Sequence, residues 1–411
     1  MSAGLFARGG SRFVPLFVVF AAACGSTSTT QPRNVRASIA FPALPGALVS
    51  AGGGHTFAPI GNGVLNAWGD DQSGQLGDGR NTIRGTAAPG PSLGPSRRVV
   101  AVAAGATHSI ALSDDGSVYT WGHNKSGQLG DGTKTDRNVA INVKGIANAR
   151  AIAAGGGFSM VLEADGSVWA WGNNQSGQLG AGHAPIAHAT PAKVFGLGSG
   201  SGVVEIAAGD SFALVRKSDG SVWAWGNGTS GQLGDGSILK RSAPTAVVGL
   251  GNGSGVVALS AGGAHSLVVK RDGTVWAWGN NQSGQLGDGK SPLDQHAPVQ
   301  VRALTRHAVA VAAGASFSLA LLDDGSVWAW GHNKSGQLGN GVHIQDALLP
   351  VAVRLPKGAR VVAIAAGTSH SVALRVDGTA LAWGNNSHGQ LGDGTAPADH
   401  DIPVVVITGS K

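Results

Sequence analysis

Four histidines occupy one place in a segment that the chain repeats, and imidazole is the side chain best suited to metal binding or proton transfer near neutral pH. The same place holds phenylalanine in three other copies, and phenylalanine can perform neither task. We therefore expect a structural role, with the slot selected for a flat ring. In chain order it is occupied by His55, His108, Phe158, Phe212, His265, Phe317 and His370.

A recurring acid is the second candidate for chemistry. The residue after each Gly-Gln-Leu-Gly is Asp78, Asp131, Ala181, Asp235, Asp288, Asn340 and Asp393 in chain order. A position that holds aspartate in some copies and asparagine or alanine in others is typical of a turn, where the aspartate side chain binds nearby backbone amides. We find no nucleophile beside a base and no cluster with metal-ligand spacing. The sequence thus predicts no enzyme, no metal and no cofactor.

Tryptophan recurs in each copy, always directly before a glycine. These seven structural residues are Trp68, Trp121, Trp171, Trp225, Trp278, Trp330 and Trp383. In four copies a second tryptophan stands two residues earlier, on the same face of a strand, at Trp169, Trp223, Trp276 and Trp328. An exposed pair could stack on sugars or peptides. Because the later tryptophan never varies, we expect it to pack between repeated units.

The repeat itself predicts the fold class. Gly-Gln-Leu-Gly begins at positions 74, 127, 177, 231, 284, 336 and 389. Each unit contains a short apolar run such as 99–103, a second run such as 109–112, an Asp-Gly hairpin signal, a third strand such as 117–121, and a Pro-x-x-Val strand such as 244–247 or 350–353. Four strands in about 50 residues are typical of a propeller blade.

The motif Asp-Gly-Ser-Val-Trp-x-Trp-Gly-x-Asn-x-Ser-Gly-Gln-Leu-Gly-Asp-Gly closely resembles the regulator-of-chromosome-condensation repeat, across residues 48–407. The resemblance implies an all-β, seven-bladed β-propeller with four-stranded antiparallel blades. The name-giving family member is a guanine-nucleotide exchange factor for Ran, and this activity is one implied alternative. We expect the ring to be closed by joining of the chain ends, with residues 403–407 completing a blade beside residues 47–51.

The first residues have a different character. Arg8 and Arg12, an apolar stretch over 13–20 and three alanines before Cys24 resemble a bacterial lipoprotein signal. We predict a signal peptide over 1–23, a lipidated Cys24 with a tether over 24–46, and the propeller over 47–411. The protein would then be exported and held at the membrane, in the periplasm or at the cell surface, by this lipid alone. Cleavage after Ala23 with simple secretion, or a buried cysteine, is the alternative.

The segments between the repeated motifs vary and carry an excess of Lys and Arg over Asp and Glu. Function in a repeat protein is expected where the copies diverge. If these connectors gather on one face, that face attracts acidic partners. We expect a monomeric, non-enzymatic scaffold that binds a protein partner, an acidic one if the connectors form a basic face, and no specific nucleic acid. A secreted enzyme inhibitor is a further alternative. The candidate contacts are Arg80, Arg84, Lys134, Arg137, Lys240 and Arg241.

Overall fold

The computed structural model describes residues 49–60, 64–182 and 187–408, and these form a ring of seven four-stranded antiparallel sheets without helices. The predicted fold class is confirmed. We number the sheets as blades 1 to 7 in chain order. Within each blade the four strands are consecutive in sequence and in space, so the first strand is innermost and the fourth lies at the rim.

The strands of blades 1 to 4 have the following bounds: β1 (Ser50–Ala51), β2 (His55–Ile60), β3 (Val64–Gly69), β4 (Arg84–Pro89), β5 (Val99–Ala104), β6 (His108–Ser113), β7 (Val118–Gly122), β8 (Arg137–Asn142), β9 (Ala149–Ala154), β10 (Phe158–Glu163), β11 (Val168–Gly172), β12 (His188–Lys193), β13 (Val203–Ala208), β14 (Phe212–Lys217), β15 (Val222–Gly226) and β16 (Arg241–Ala246).

The strands of blades 5 to 7 are β17 (Val256–Ala261), β18 (His265–Lys270), β19 (Val275–Gly279), β20 (Gln295–Gln300), β21 (Ala308–Ala313), β22 (Phe317–Leu322), β23 (Val327–Gly331), β24 (Ala347–Ala352), β25 (Val361–Ala366), β26 (His370–Arg375), β27 (Ala380–Gly384) and β28 (His400–Val405).

The fourth strands begin three residues earlier than the Pro-x-x-Val signal predicts. Strand β16, for example, starts at Arg241 opposite Gly226, and the register then shifts between Ala224 and Gly226. This irregularity lets six residues of β16 run beside the shorter β15. The first residue of each rim strand is therefore part of the sheet and not of the preceding loop.

Adjacent blades are held together by one repeated set of hydrogen bonds. The backbone oxygen of Gln232 in blade 4 accepts from Trp278 Nε1 at 2.9 Å and from Ser266 Oγ at 2.8 Å, both in blade 5. The glycine of this turn is required, since Gly234 has a φ of +66° and a Cβ there would lie 2.7 Å from Trp278 Nε1. The apolar core is correspondingly split into clusters between neighbouring blades.

The ring closes with the same contacts where the chain ends meet. The Gln390 oxygen of blade 7 accepts from Trp68 Nε1 at 2.8 Å and from Thr56 Oγ1 at 3.0 Å, in blade 1. Strand β28 completes blade 7 beside blade 1, and the Ile407 oxygen accepts from the Ala87 amide at 2.9 Å. Residues 50 and 51 form the innermost strand of blade 1, whereas residues 403–405 belong to the rim strand of blade 7, so the prediction that residues 403–407 complete a blade beside residues 47–51 is wrong. Each blade takes its four strands from consecutive sequence, and the ring closes by contacts between blades 7 and 1. Residues 47 and 48 lie outside the described residues.

Candidate functional site

The antiparallel order of the strands divides all loops between two faces of the ring. We call upper the face at which the first-to-second and third-to-fourth strand loops open. The lower face carries the Asp-Gly hairpins and the crossovers from each rim strand to the next innermost strand. Each connector begins on the upper face, passes through a rim strand and ends on the lower face. The connectors therefore do not gather on one face.

Charge is distributed accordingly. Within the described residues, the interblade crossovers of the lower face contain no Asp or Glu. Their cations are Arg97, Arg98, Lys144, Arg302, Arg306, Arg354, Lys357 and Arg360. The third-to-fourth strand loops of the upper face hold more acids than cations. The excess of positive charge in the connectors thus belongs mainly to the lower face.

All six candidate contacts lie at the upper ends of blades 1, 2 and 4, but three of them have acidic partners. Arg84 pairs with Asp78, Arg137 with Asp131 at 2.9 Å, and Arg241 with Asp235 at 2.7 Å. Each arginine is the first residue of a rim strand, and each aspartate is the recurring acid after Gly-Gln-Leu-Gly.

The pairing follows the sequence of the individual blades. In blades 3 and 6, Ala181 and Asn340 replace the acid. The rim strands of these two blades begin at His188 and Ala347, so neither has an arginine at this place. In blade 7 a histidine replaces the arginine, and His400 Nε2 lies 2.9 Å from Asp393 Oδ2. Blade 5 keeps the acid, Asp288, although its rim strand begins at Gln295 and offers no base. The four observed pairs each join the glycine turn to the start of the rim strand, which indicates that these basic residues stabilise that strand.

The other three candidates have no such partner. Arg80, Lys134 and Lys240 are exposed and form no ion pair with any described residue. Arg80 follows its acid within the turn, where the Asp78 carboxylate accepts from the Arg80 amide at 2.9 Å, so its backbone is fixed while its side chain extends outward.

The histidine slot lies inside the ring. His55, His108, His265 and His370 are fully buried, and each Nε2 contacts a Ser or Thr hydroxyl of the next blade at 2.8–2.9 Å. Since that hydroxyl donates to a backbone oxygen, as Ser109 Oγ does to Gln75, the imidazole Nε2 must be the donor. Burial lowers the pKa of His55 to about 3 and the pKa of the other three to about 4. These histidines are neutral blade-to-blade contacts.

The two tryptophan positions differ in exposure. All seven tryptophans that precede glycine have no exposed surface. Trp169, Trp223 and Trp276 of the earlier position are half-buried, and a lysine ammonium lies 4.2–5.2 Å from each ring centroid. These lysines, Lys193, Lys217 and Lys270, cover the ring face on which a sugar would stack. The sequence reasoning missed these lysines, because each belongs to a different strand from the tryptophan that it covers.

The upper mouth of the central channel is a cavity of about 90 Å³, lined by the Ala-Gly residues that follow the innermost strands. Backbone bonds join the blades around it, from the Gly53 amide to the Gly105 oxygen (3.1 Å) and from the Thr368 amide to the Gly52 oxygen (3.0 Å). Asp210 is the one ionisable residue among those that line this cavity.

The described part of the chain contains neither a group of metal ligands nor an apolar membrane-spanning helix. Among residues 49–60, 64–182 and 187–408, no three His, Cys, Asp or Glu side chains are grouped so that they could hold a metal ion. No helix in the same ranges is long and apolar enough to cross a membrane. Cys24 and the proposed signal peptide lie outside the described residues.

Known proteins with this architecture match most of the chain. Arabidopsis thaliana Ultraviolet-B receptor UVR8 is 32% identical over 362 residues, covering 87% of this chain and 81% of that protein. Human E3 ubiquitin-protein ligase HERC2 is 31% identical, but the chain spans only 6% of its length. The crystal structure of Saccharomyces cerevisiae Prp20p, a protein with binding properties to Gsp1p and histones, superimposes with a TM-score of 0.73 at 26% identity and covers 83% of this chain and 85% of that one.

Family models match the chain in consecutive parts. The RCC1-like domain matches residues 21–304, and the Regulator of chromosome condensation (RCC1) repeat matches residues 324–374 and 377–411. Together with the seven blades and their shared Trp–Gln contacts, these matches identify the chain as a member of the regulator of chromosome condensation repeat family.

Proposed function

We propose that this protein is a non-enzymatic scaffold that binds a protein partner through the upper face of the propeller. Three separate cations there would contact acidic side chains of the partner, although the third-to-fourth strand loops of this face hold more acids than cations overall. The observation that carries the proposal is that three exposed cations in blades 1, 2 and 4, Arg80, Lys134 and Lys240, have no ion pair within the described part of the chain. They are held by a rigid ring on loops that differ from blade to blade. Exposed charges of this kind increase association rates and select partners of opposite charge.

The family relationship supports a binding role. Prp20p binds two kinds of protein, Gsp1p and histones, and that propeller shares 26% identity with this chain. Guanine-nucleotide exchange is the second candidate function, and the same likeness favours it. Adding the purified propeller to a small GTPase loaded with a fluorescent nucleotide tests it, since an exchange factor speeds nucleotide release.

We further propose that the protein is exported and anchored by lipid at Cys24, so that the partner is a periplasmic or surface protein. The three alanines before Cys24 and the Ser/Thr-rich stretch after it support this placement. Full-length protein should incorporate a fatty-acid analogue and sediment with membranes, and Cys24→Ser should abolish both. Unlabelled, soluble wild-type protein would leave simple secretion as the remaining explanation.

Crosslinking from intact cells with the mature protein as bait identifies the partner. The triple variant Arg80→Glu, Lys134→Glu and Lys240→Glu should then weaken binding, and the wild-type affinity should fall as salt rises. The matched control reverses three exposed cations of the lower face, Lys144, Arg302 and Lys357, and should bind normally. If both triple variants bind like the wild type, the upper-face proposal is wrong.

A further inference from the structure

Asp210 places a carboxylate at the upper mouth of the central channel. It follows the Ala-Gly pair of blade 4, in the short loop between β13 and β14, and lines the cavity there. The other blades have glycine, alanine or threonine at this place, so the loop forms without a charge. In chain order these residues are Gly53, Ala106, Gly156, Gly263, Ala315 and Thr368.

The fold holds the backbone of Asp210 but gives its carboxylate no partner within the described part of the chain. The Asp210 amide donates to the Gly262 oxygen at 3.3 Å, and the Asp210 oxygen accepts from the Gly156 amide at 3.1 Å. An aspartate in a turn usually accepts from a nearby backbone amide, as Asp78 does from Arg80. Among residues 49–60, 64–182 and 187–408, no hydrogen bond or cation acts on the Asp210 carboxyl.

Water reaches this carboxylate from above, but the loops around the mouth reduce its hydration. Asp210 is exposed as a whole residue, yet burial against the mouth raises the pKa of its carboxyl above the ordinary value, and nothing opposes that shift. The aspartate side chain is short, so the negative charge stays at the mouth. A cation in the cavity would therefore stabilise it.

The wall of the cavity favours an organic cation over a metal ion. Its glycine oxygens are already used between blades, as the Gly314 oxygen accepts from the Gly263 amide at 3.1 Å. A calcium ion takes about six to eight oxygen ligands, which one carboxylate does not supply. The innermost strands end in alanines that line the cavity with methyl groups. These are Ala51, Ala104, Ala154, Ala208, Ala261, Ala313 and Ala366.

The volume of the cavity limits the shape of that cation. It measures about 90 Å³. A cavity that holds a benzene ring has about 150 Å³, so this one has room for an unbranched chain of a few atoms and not for an aromatic ring. A primary ammonium on such a chain presents a compact charge with three donors to the carboxylate, while its methylene groups contact the alanines.

We propose that the upper mouth of the central channel binds a primary ammonium group on an unbranched aliphatic stem, with Asp210 as its counter-charge. The lysine side chain of a protein and a free alkylamine both have this chemistry. The site uses an acid at the centre of the upper face, whereas the proposed function uses cations on the loops outside it. The two are therefore tested separately.

Isothermal titration of the purified protein with n-butylammonium chloride tests the site, with sodium chloride at equal ionic strength as the reference. Butanol has the same stem without the charge, and calcium chloride is the metal-ion probe. We expect saturable binding of butylammonium and none of butanol or calcium. Binding of butanol as tight as that of butylammonium, or binding of calcium alone, overturns the proposal.

A blocked peptide, acetyl-Gly-Lys-Gly-amide, distinguishes the two sources of the ammonium group. If the peptide binds at least as tightly as butylammonium, the site takes the lysine side chain of a protein. If it binds more weakly, the site takes a free alkylamine. If neither binds, the proposal is wrong.

Moving the carboxylate around the ring gives the sharpest test. Asp210→Ala should fold and weaken butylammonium binding about tenfold, the loss expected for one charge-assisted hydrogen bond. Ala315→Asp, added to Asp210→Ala, places the carboxylate in blade 6 and should restore binding. The two loops match closely, since a Cβ on Gly156 would lie 2.6 Å from the Asp210 oxygen. A Cβ on Gly263 would lie 2.6 Å from the Ala315 oxygen.

Asp114→Asn removes an exposed carboxylate from a hairpin of the lower face and should bind butylammonium like the wild type. Melting curves show which variants fold. Unchanged binding in Asp210→Ala overturns the proposal, as does a folded double variant that fails to regain binding. If the double variant does not fold, the comparison of Asp210→Ala with Asp114→Asn decides.

Discussion

Replacing Asp71 with asparagine should stabilise the protein at neutral pH, although Asp71 already accepts two backbone hydrogen bonds. Its carboxylate accepts from the Leu76 amide at 2.9 Å and from the Thr82 amide at 3.3 Å, and the residue has no exposed surface. Five of the other six units have asparagine at this place. In blade 2, Asn124 Nδ2 donates to Asp131 Oδ1 at 3.1 Å, a contact that the carboxylate of Asp71 cannot make with an acid.

The size of the effect follows from the pKa of Asp71. Burial and the charge of Asp78 raise this pKa from 3.8 to about 6, against the opposing hydrogen bonds from Leu76 and Thr82. Between pH 4 and pH 6 the Asp71 carboxyl is already deprotonated in the unfolded chain but still protonated in the native state. The free energy of unfolding therefore falls as pH rises through this range. Two pKa units correspond to about 3 kcal/mol. The lost Thr82 bond costs about 1 kcal/mol, which leaves a gain of about 2 kcal/mol at pH 7.

Chemical denaturation of the wild type and Asp71→Asn at pH 4 and pH 7.5 measures this gain. The variant should unfold at higher denaturant concentration at pH 7.5 and should lose that advantage at pH 4. Asp70→Asn, next to it in the same turn, is the control for removing a carboxylate from this turn, and its gain at pH 7.5 should be smaller because Asp70 is less buried than Asp71. An Asp71→Asn variant that is less stable at both pH values would show that the two backbone bonds outweigh the buried charge.

Three further changes address the ring itself. His265→Phe should bind partners as the wild type does and should unfold less readily in acid. Burial lowers the pKa of His265 in the folded wild type to about 4, so the wild type loses about 3 kcal/mol of stability as pH falls from 6.5 to 4, and phenylalanine does not. An unchanged acid transition would contradict the buried neutral imidazole. Trp278→Ala should lower the free energy of unfolding by about 3–5 kcal/mol, and Trp276→Ala by clearly less; equal, small losses would mean that both rings are exposed. Deleting residues 402–411 removes most of β28 and the buried Val406, and should sharply lower the melting temperature; an unchanged melting curve would refute closure between blades 7 and 1.

The fold could be predicted from the sequence because each blade repeats the same local signals. The Asp-Gly hairpins, the Trp-Gly strand ends and the number of repeats each indicate the same propeller, and local contacts within about 50 residues build every blade. The beginning of the rim strands was harder to predict. Arg241 pairs with β15 across an irregular register, and no alternating pattern marks such a position.

The candidate contacts show what a single sequence leaves undetermined. Arg80 and Arg84 both follow the Gly-Gln-Leu-Gly turn of blade 1, but only Arg84 forms an ion pair with Asp78 of that turn. The side-chain direction depends on where the rim strand begins.

Two consecutive cations, Lys240 at the end of a loop and Arg241 at the start of β16, separate the structural role from the binding role. Asp235 is nearly buried and accepts from Ser237 as well as from Arg241 Nε. Burial raises the pKa of Asp235, but these hydrogen bonds outweigh it and the net shift is downward. Lys240, one residue before Arg241, is exposed and forms no ion pair in the described structure.

A double-mutant cycle on this pair tests whether the arginines stabilise the rim strands. Arg241→Ala should cost about 1–3 kcal/mol, because it leaves the Asp235 carboxylate without its counter-charge. The double change Asp235→Asn with Arg241→Ala should cost less than Arg241→Ala alone, because blade 6 already carries this neutral pair as Asn340 and Ala347. Lys240→Ala should alter stability by no more than about 0.5 kcal/mol. Additive losses in the cycle would mean that the pair has no coupling energy, and Arg241 would then be as available to a partner as Lys240.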